Sequence, residues 1–165
     1  MKNLLIDNFD PAYGGLRAYE KKDREQIVKV IDLVCAECEW MSTKIFIPTL
    51  QWLHAFSEPE CNYHLLLVAE RNGKLFGWCR LFPEQCSGNR KIGELGIGLL
   101  ADCRNQKIGS TLLDLALKWA HNSGMYCVNL SVNRNNLIAL RLFEKFYFKY
   151  TSSSDVDCFL MSSKV

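Results

Sequence analysis

The chain has 165 residues, which is the length of one ordinary domain, so residues 1–165 are expected to form a single domain. Hydrophobic residues make up 48% of it and charged residues 23%, a composition that argues against extensive disorder. A net charge of +2 gives no strongly basic surface for nucleic acid, and no apolar run reaches the length of a signal-peptide core or a membrane span. We therefore expect a cytoplasmic protein, monomeric or homodimeric, that binds neither nucleic acid nor membranes.

The first half of the chain predicts two helices and four strands. The strands are expected over 16–19, 64–70, 75–82 and 91–100, and the helices near Asp23 and within 39–58. Asp23 is a suitable N-terminal cap, and Pro48 suits the first turn of the second helix. The pair Asn72-Gly73 separates two β-type runs and predicts a tight hairpin between them.

The second half predicts alternating helices and strands. A helix is expected from Lys107, a strand over 126–132, a helix over 135–146, and two short terminal strands over 147–150 and 156–163. The helix from Lys107 has the clearest periodicity, since its apolar residues fall on one face: Ile108, Leu112, Leu115, Ala116 and Trp119. Helices and strands alternate at both ends of the chain around a hairpin region, which predicts a mixed α/β fold.

The eight cysteines are expected to be mostly small buried hydrophobic side chains, because a reducing compartment disfavours disulfides. Cys35 and Cys38 form a C-x-x-C motif late in a helical pattern, where neither a thioredoxin-type pair nor a zinc site is expected. A thiol redox sensor built on this pair stays open as a third hypothesis. We expect no metal site, and His54, His64 and His121 are interpreted as structural residues.

The loop before the helix at Lys107 has the composition of an anion site. A helix N-terminus carries unpaired N–H groups and a partial positive charge, and Gly109 lets a ligand approach the backbone. Ser110 and Thr111 add hydroxyl donors, while Arg104 and Lys107 add charge. An ordinary polar turn is the alternative interpretation of the same residues.

Two glycines in the preceding strand favour the ligand interpretation. Gly96 and Gly98 lie on one face of the strand, where they could clear space for a molecule lying along it. A phosphate site at the end of such a strand would suit a long molecule with a phosphate tail, and coenzyme A has that shape.

These segments resemble the GNAT superfamily of acyl-CoA-dependent N-acetyltransferases. The run RNQKIGS over 104–110 is similar to the family's pyrophosphate loop, written Q/R-x-x-G-x-G/A, and 130–148 resembles its second signature through Asn136 and Ala139. The resemblance implies a mostly antiparallel central sheet of about six to seven strands with about four flanking helices, a mixed α+β arrangement. It also implies acetyl-CoA as cosubstrate and an amine as acceptor.

The resemblance assigns candidate roles to individual residues. Glu94 is the candidate general base and Tyr147 a candidate general acid. The candidate cosubstrate-binding residues are Ile97, Gly98, Leu99, Arg104, Asn105, Gln106, Lys107, Ile108, Gly109, Ser110, Thr111, Asn136 and Phe143. The backbone N–H groups near Ile97 to Leu99 are expected to orient the acetyl group.

Three residues depart from the family pattern. Lys107 stands where the loop has its first glycine, Phe143 where many members carry a tyrosine acid, and Tyr147 where a glycine is usual. The acid role could pass to Tyr147, Tyr150 or Cys103, or the thiolate could leave unassisted. The alternative to an enzyme is an acyl-CoA-binding regulatory domain without turnover, which the first two departures would suit.

The segment 50–61 resembles the family's variable acceptor wall. Trp52 and Phe56, with Trp40 ahead of them, could supply aromatic surface, although aromatics at this spacing are also typical of a core. Glu58 and Glu60 add negative charge, which predicts a cationic primary amine on a small molecule or a chain terminus. A merely solvated acidic loop is the alternative.

Overall fold

The computed structural model describes residues 15–37, 44–84, 91–151 and 157–165. Its helices are α1 (Arg24–Ala36), α2 (Leu50–Ser57), α3 (Ile108–Asn122) and α4 (Leu137–Lys145). Its strands are β1 (Gly15–Ala18), β2 (Leu65–Arg71), β3 (Lys74–Pro83), β4 (Ile92–Leu99), β5 (Cys127–Asn133), β6 (Lys149–Tyr150) and β7 (Cys158–Lys164). No helix within these ranges has the length and apolar character needed to cross a membrane.

All seven strands join one sheet in the order β1-β2-β3-β4-β5-β7-β6. Every pairing is antiparallel except that between β4 and β5, which run parallel. The predicted mixed α/β fold with a mostly antiparallel sheet is therefore confirmed. The hairpin is confirmed as well, since Asn72 and Gly73 have φ of 52° and 75°, the left-handed conformation that a two-residue turn of this kind requires.

Both faces of the sheet are covered by helices. One core holds the inward faces of α1 and α2, with Leu66 and Val68 of β2 among its members. The other holds those of α3 and α4, with Leu65 and Leu67. Because successive side chains of β2 enter opposite cores, the strand needs the unbroken apolar run that the sequence shows.

Two local predictions need correction, and part of a third falls outside the described residues. Pro48 precedes the N-cap residue Thr49 and lies outside α2. The expected strand over 147–150 shrinks to Lys149–Tyr150, because Tyr147 has a φ of 63° and cannot continue an extended strand. Residues 39–43 of the expected second helical segment lie outside the described residues.

The glycines of β4 are explained by packing across the sheet. A Cβ on Gly98 would lie 2.2 Å from Cη2 of Trp78, the residue opposite it on β3, and one on Gly96 would lie 2.8 Å from Nε of Arg80. Neighbouring side chains therefore occupy the space above both glycines. The expectation that this face is cleared for a ligand is wrong.

Buried cysteines behave as hydrophobic side chains. Cys35 and Cys79 are fully buried, and burial raises the pKa of the Cys79 thiol to about 12. Cys61, Cys103, Cys127 and Cys158 are half-buried. Cys38, the partner that the redox hypothesis requires, lies outside the described residues.

Candidate functional site

The sheet opens between the parallel strands β4 and β5. Within the part of the chain that the structure describes, these strands pair only where Ile92–Glu94 meets Cys127–Asn129. Beyond that point β4 stays paired to β3 as far as Leu99, and β5 stays paired to β7 as far as Asn133. Thus β3 holds β4 and β7 holds β5, while the carboxyl ends of β4 and β5 separate.

Backbone groups of β4 point into this gap. The carbonyl of Lys91 accepts from Tyr126 on the β5 side, whereas the carbonyl of Ile92 accepts from Glu84 on the β3 side. Because peptide groups alternate along a strand, those of Leu95, Ile97 and Leu99 are directed toward the gap. Gly98 instead directs its backbone toward β3, where it pairs with Trp78.

The N-terminus of α3 lies at the end of β4. A Cβ on Gly109 would lie 3.9 Å from Cδ1 of Leu99 and 3.6 Å from Cδ2 of Leu142. The side chain of the N-cap residue Lys107 makes no capping hydrogen bond to α3, which leaves the amides of the first turn for an anion. Contacts of this length also leave room for a methyl group, so packing does not require a glycine at 109.

Two residues of the loop adopt left-handed backbone conformations. Asn105 has a φ of 61° and Lys107 a φ of 63°. Asparagine tolerates this region, whereas a lysine there is strained by about 1 kcal/mol. The structure thus gives Lys107 the conformation that glycine would adopt without strain.

Three polar side chains of the loop make hydrogen bonds within the protein. Arg104 donates from Nε and Nη2 to the carbonyl oxygen of Leu99 at 3.0 and 2.9 Å, and Nη2 lies 2.7 Å from the Glu37 carboxylate. Gln106 donates to the carbonyl of Asp102 at 3.1 Å. Thr111 donates its hydroxyl to the carbonyl of Lys107 at 3.1 Å. Arg104 therefore fastens the end of β4 to the end of α1, and the backbone amides and Ser110 are the donors best placed for an anion.

Glu94 lies on the sheet face covered by α1 and α2. Nη2 of Arg80 donates to its Oε1 at 2.7 Å, and the Glu94 side chain is 49% exposed. The Arg80 guanidinium also stacks over the rings of Trp52 and Phe82, at 5.8 and 5.1 Å from their centroids. Glu94 is thus an accessible carboxylate paired with the guanidinium of Arg80. The positions of the two residues in the sequence do not indicate this pairing.

Asn136 and Phe143 have clear structural roles. The Asn136 side chain accepts a hydrogen bond from the Ala139 amide at 3.1 Å and caps α4, which explains the N-x-x-A spacing. Phe143 is 5% exposed, and its ring lies 5.8 Å from that of Phe148. It belongs to the core formed by α3 and α4.

Tyr147 lies away from the loop that precedes α3. Its side chain is 82% exposed and lines a cavity of about 400 Å³ with His121 of α3 and Lys164 of β7. This cavity meets α3 over Asp114–Asn122, at the other end of the helix from the loop. The proposed acid role for Tyr147 has no support in this arrangement.

The other candidates for the acid differ in surroundings. Tyr150 donates its hydroxyl to Oε1 of Glu144 at 2.7 Å, and this bond raises the tyrosine pKa. Cys103 is half-buried and packs against the core under α3. Cys103 comes four residues after the end of β4. It is therefore closer in sequence to the gap than Tyr150 is.

The expected acceptor wall is mostly core. Trp52 is 6% and Phe56 3% exposed, and both pack beneath α2, so of the two interpretations of these aromatics the structure supports the core. Glu58 and Glu60 are exposed. Trp40 lies outside the described residues.

Comparison with known proteins gives a consistent assignment. The model of the acetyltransferase (GNAT) family matches residues 27–148. Over 102 residues the chain is 28% identical to the uncharacterized N-acetyltransferase YhfO of Bacillus subtilis (strain 168), covering 58% of this chain and 67% of that protein.

Solved structures share the fold over nearly the whole chain. A GNAT-family acetyltransferase from Streptococcus pneumoniae is 26% identical, with a TM-score of 0.78, and the match covers 91% of this chain and 98% of that one. A phosphinothricin acetyltransferase from Sinorhizobium meliloti, solved with acetyl-CoA, is 15% identical, with a TM-score of 0.79 and coverage of 93% and 89%. The chain therefore belongs to the GNAT family of acetyltransferases.

Proposed function

We propose that the chain transfers the acetyl group of acetyl-CoA to a primary amine, on a small molecule or at a peptide or protein terminus, by direct attack in a ternary complex. The observation that carries the proposal is the junction of two features at Leu99. The open β4–β5 gap ends there, and the uncapped N-terminus of α3 begins within van der Waals reach of the same side chain.

This junction offers two kinds of contact to acetyl-CoA. The first-turn amides, Ile108 to Ser110, suit the pyrophosphate, and the strained Lys107 adds a positive charge nearby. The N–H groups of Ile97 and Leu99 suit the thioester carbonyl, because they are directed into the gap and lie at fixed positions on a strand. The Leu99 carbonyl is already occupied by Arg104, which makes Arg104 a positioning residue.

The reaction needs one proton removed and one supplied. The neutral amine nitrogen attacks the thioester carbon, the C–S bond breaks, and the sulfur leaves as a thiolate that gains a proton. Glu94 accepts the amine proton, directly or through water, from the face opposite α3. Phe143 has no hydroxyl with which to protonate the thiolate, so we expect the thiolate to leave unassisted, at a rate lower by roughly 10²–10⁴ than with a general acid.

A second candidate function is acyl-CoA binding without turnover. Two observations favour it: Lys107 strains the pyrophosphate loop, and a buried phenylalanine stands at position 143. Both functions require the same cosubstrate site, so only turnover separates them.

The release of coenzyme A with a panel of amines distinguishes the two functions. The panel contains a polyamine, amino-acid amides and short peptides with free N-termini, and product is identified by mass spectrometry. We expect steady release with at least one amine and a lower kcat in Glu94→Gln, with Glu84→Gln as the matched control. Acetyl-CoA binding without release for any amine would favour the second function.

The charge of the acceptor is tested at the exposed glutamates. If Glu58 and Glu60 attract a cationic amine, the double change Glu58→Lys with Glu60→Lys raises KM for that amine and leaves acetyl-CoA affinity unchanged. An unchanged KM would remove these glutamates from the acceptor site.

A further inference from the structure

Two histidines and a cysteine lie close together at the C-terminal end of α2. His54 lies on α2, Cys61 on the loop after it, and His64 directly before β2. One nitrogen of each imidazole and the Sγ of Cys61 all lie within 4.8 Å of one another. We propose that His54, Cys61 and His64 form a zinc site, contrary to the sequence-based expectation of no metal.

Backbone hydrogen bonds bring the three residues together. The Glu58 amide donates to the His54 carbonyl at 2.8 Å, and the Cys61 amide donates to the Glu58 carbonyl at 3.0 Å. These two consecutive turns reverse the direction of the chain, so that Cys61 lies close to His54. The ligand spacing, six residues and then two, therefore follows from these backbone hydrogen bonds.

The buried member of the cluster packs against neighbouring rings. His64 is 3% exposed, and its ring packs edge-on against Phe82 at 5.9 Å and against His54 at 5.4 Å between centroids. His54 is exposed and Cys61 half-buried, so their side chains can rotate toward the fixed imidazole. A tetrahedral zinc ion needs ligand atoms about 3.5 Å apart, so a movement of about 1 Å closes the site.

The donor set favours zinc among biological cations. Imidazole and thiolate are borderline to soft ligands, which suit zinc and disfavour magnesium and calcium. Three protein ligands leave a fourth position for water, and the carboxylates of Glu58 and Glu60 on the same loop add favourable negative charge. Bound zinc would join α2 and its loop to the start of β2.

Cobalt(II) substitution tests the site directly. Protein freed of metal by a chelator is titrated with cobalt(II) and then with zinc(II), while thiolate-to-cobalt charge transfer and tetrahedral ligand-field bands are recorded. We expect one cobalt per chain, displacement by zinc, and a higher Tm with zinc in excess.

Surface variants keep the test independent of folding. His54→Ala and Cys61→Ser should lower metal affinity at least about tenfold while leaving the metal-free Tm close to that of the parent. His121→Ala and Cys103→Ser, both outside the cluster, should bind as the parent does. The absence of cobalt bands, or equal affinity in parent and cluster variants, would overturn the proposal.

Discussion

Gly109 is the single residue that best separates ligand binding from packing. Its surroundings accept a methyl group, and alanine is the better helix former, so Gly109→Ala should keep or raise Tm. The same methyl group would keep a pyrophosphate away from the helix amides, so affinity for acetyl-CoA should fall about tenfold or more.

Gly98→Ala is the matched control for this change. Its Cβ would overlap the Trp78 ring at 2.2 Å, so this variant should lose stability by about 1–3 kcal/mol in chemical denaturation. A Gly109→Ala variant that binds acetyl-CoA as tightly as the parent would contradict the assignment of the helix N-terminus.

Phe143 decides whether a general acid can be restored. Phe143→Tyr adds one hydroxyl to a ring that is 5% exposed. If that hydroxyl reaches the β4–β5 gap, kcat rises and the pH–rate profile gains a basic limb. A loss of about 1–3 kcal/mol in unfolding free energy without any change in kcat would instead show a hydroxyl buried in the core without a partner.

At the scale of elements, one ionic junction joins β1, α1 and β2. Nη1 and Nη2 of Arg17 donate to the Asp23 carboxylate at 2.6 and 2.9 Å, and Nη2 also donates to Glu70 at 2.6 Å. The Glu20 amide donates to Asp23 at 2.8 Å. Burial raises the Asp23 pKa, but the Arg17 and Glu20 hydrogen bonds outweigh it and hold that pKa below its ordinary value of 3.8.

The lowered pKa predicts the sign of a pH effect. The folded state binds the Asp23 proton more weakly than the unfolded chain, so the junction stabilises the fold above pH 3.8 and loses this contribution as pH falls further. Asp23→Asn should lower unfolding free energy by about 2 kcal/mol near neutral pH and flatten its decline in acid. Denaturation curves at several pH values, with Glu25→Gln as control, measure this; an equal acid slope in both would refute it.

Periodicity and turn residues predict the helices, strands and hairpin well, but they do not predict the contacts between elements or the course of the loops. Helix α3 and the Asn72-Gly73 hairpin depend on local patterns, and both are where the sequence places them. The interpretation of Gly96 and Gly98 as space for a ligand is wrong because the reason for these glycines lies on another strand, in Trp78 and Arg80. The His54–Cys61–His64 cluster likewise arises from a loop whose course periodicity does not describe.

At the scale of the whole molecule, the strands on either side of the gap are held apart by their pairing with β3 and β7. The β3–β4 ladder continues to Gly77 and Leu99, and the β5–β7 ladder to Asn133 and Cys158, so each side of the gap is stabilised from outside it. No local signal in β4 or β5 indicates this separation, because it depends on strand pairing between distant segments. The family resemblance implies the cosubstrate, and the gap gives that resemblance a physical basis.

The most direct test of this account is calorimetric titration with acetyl-CoA and with acetyl-pantetheine, which carries the same thioester but no pyrophosphate. We expect acetyl-CoA to bind at one site per chain and to raise Tm, and acetyl-pantetheine to bind at least about tenfold more weakly, because it cannot reach the α3 amides. No binding of acetyl-CoA at millimolar concentration, or equal affinity for the two compounds, would contradict a cosubstrate site that joins the β4–β5 gap to the N-terminus of α3.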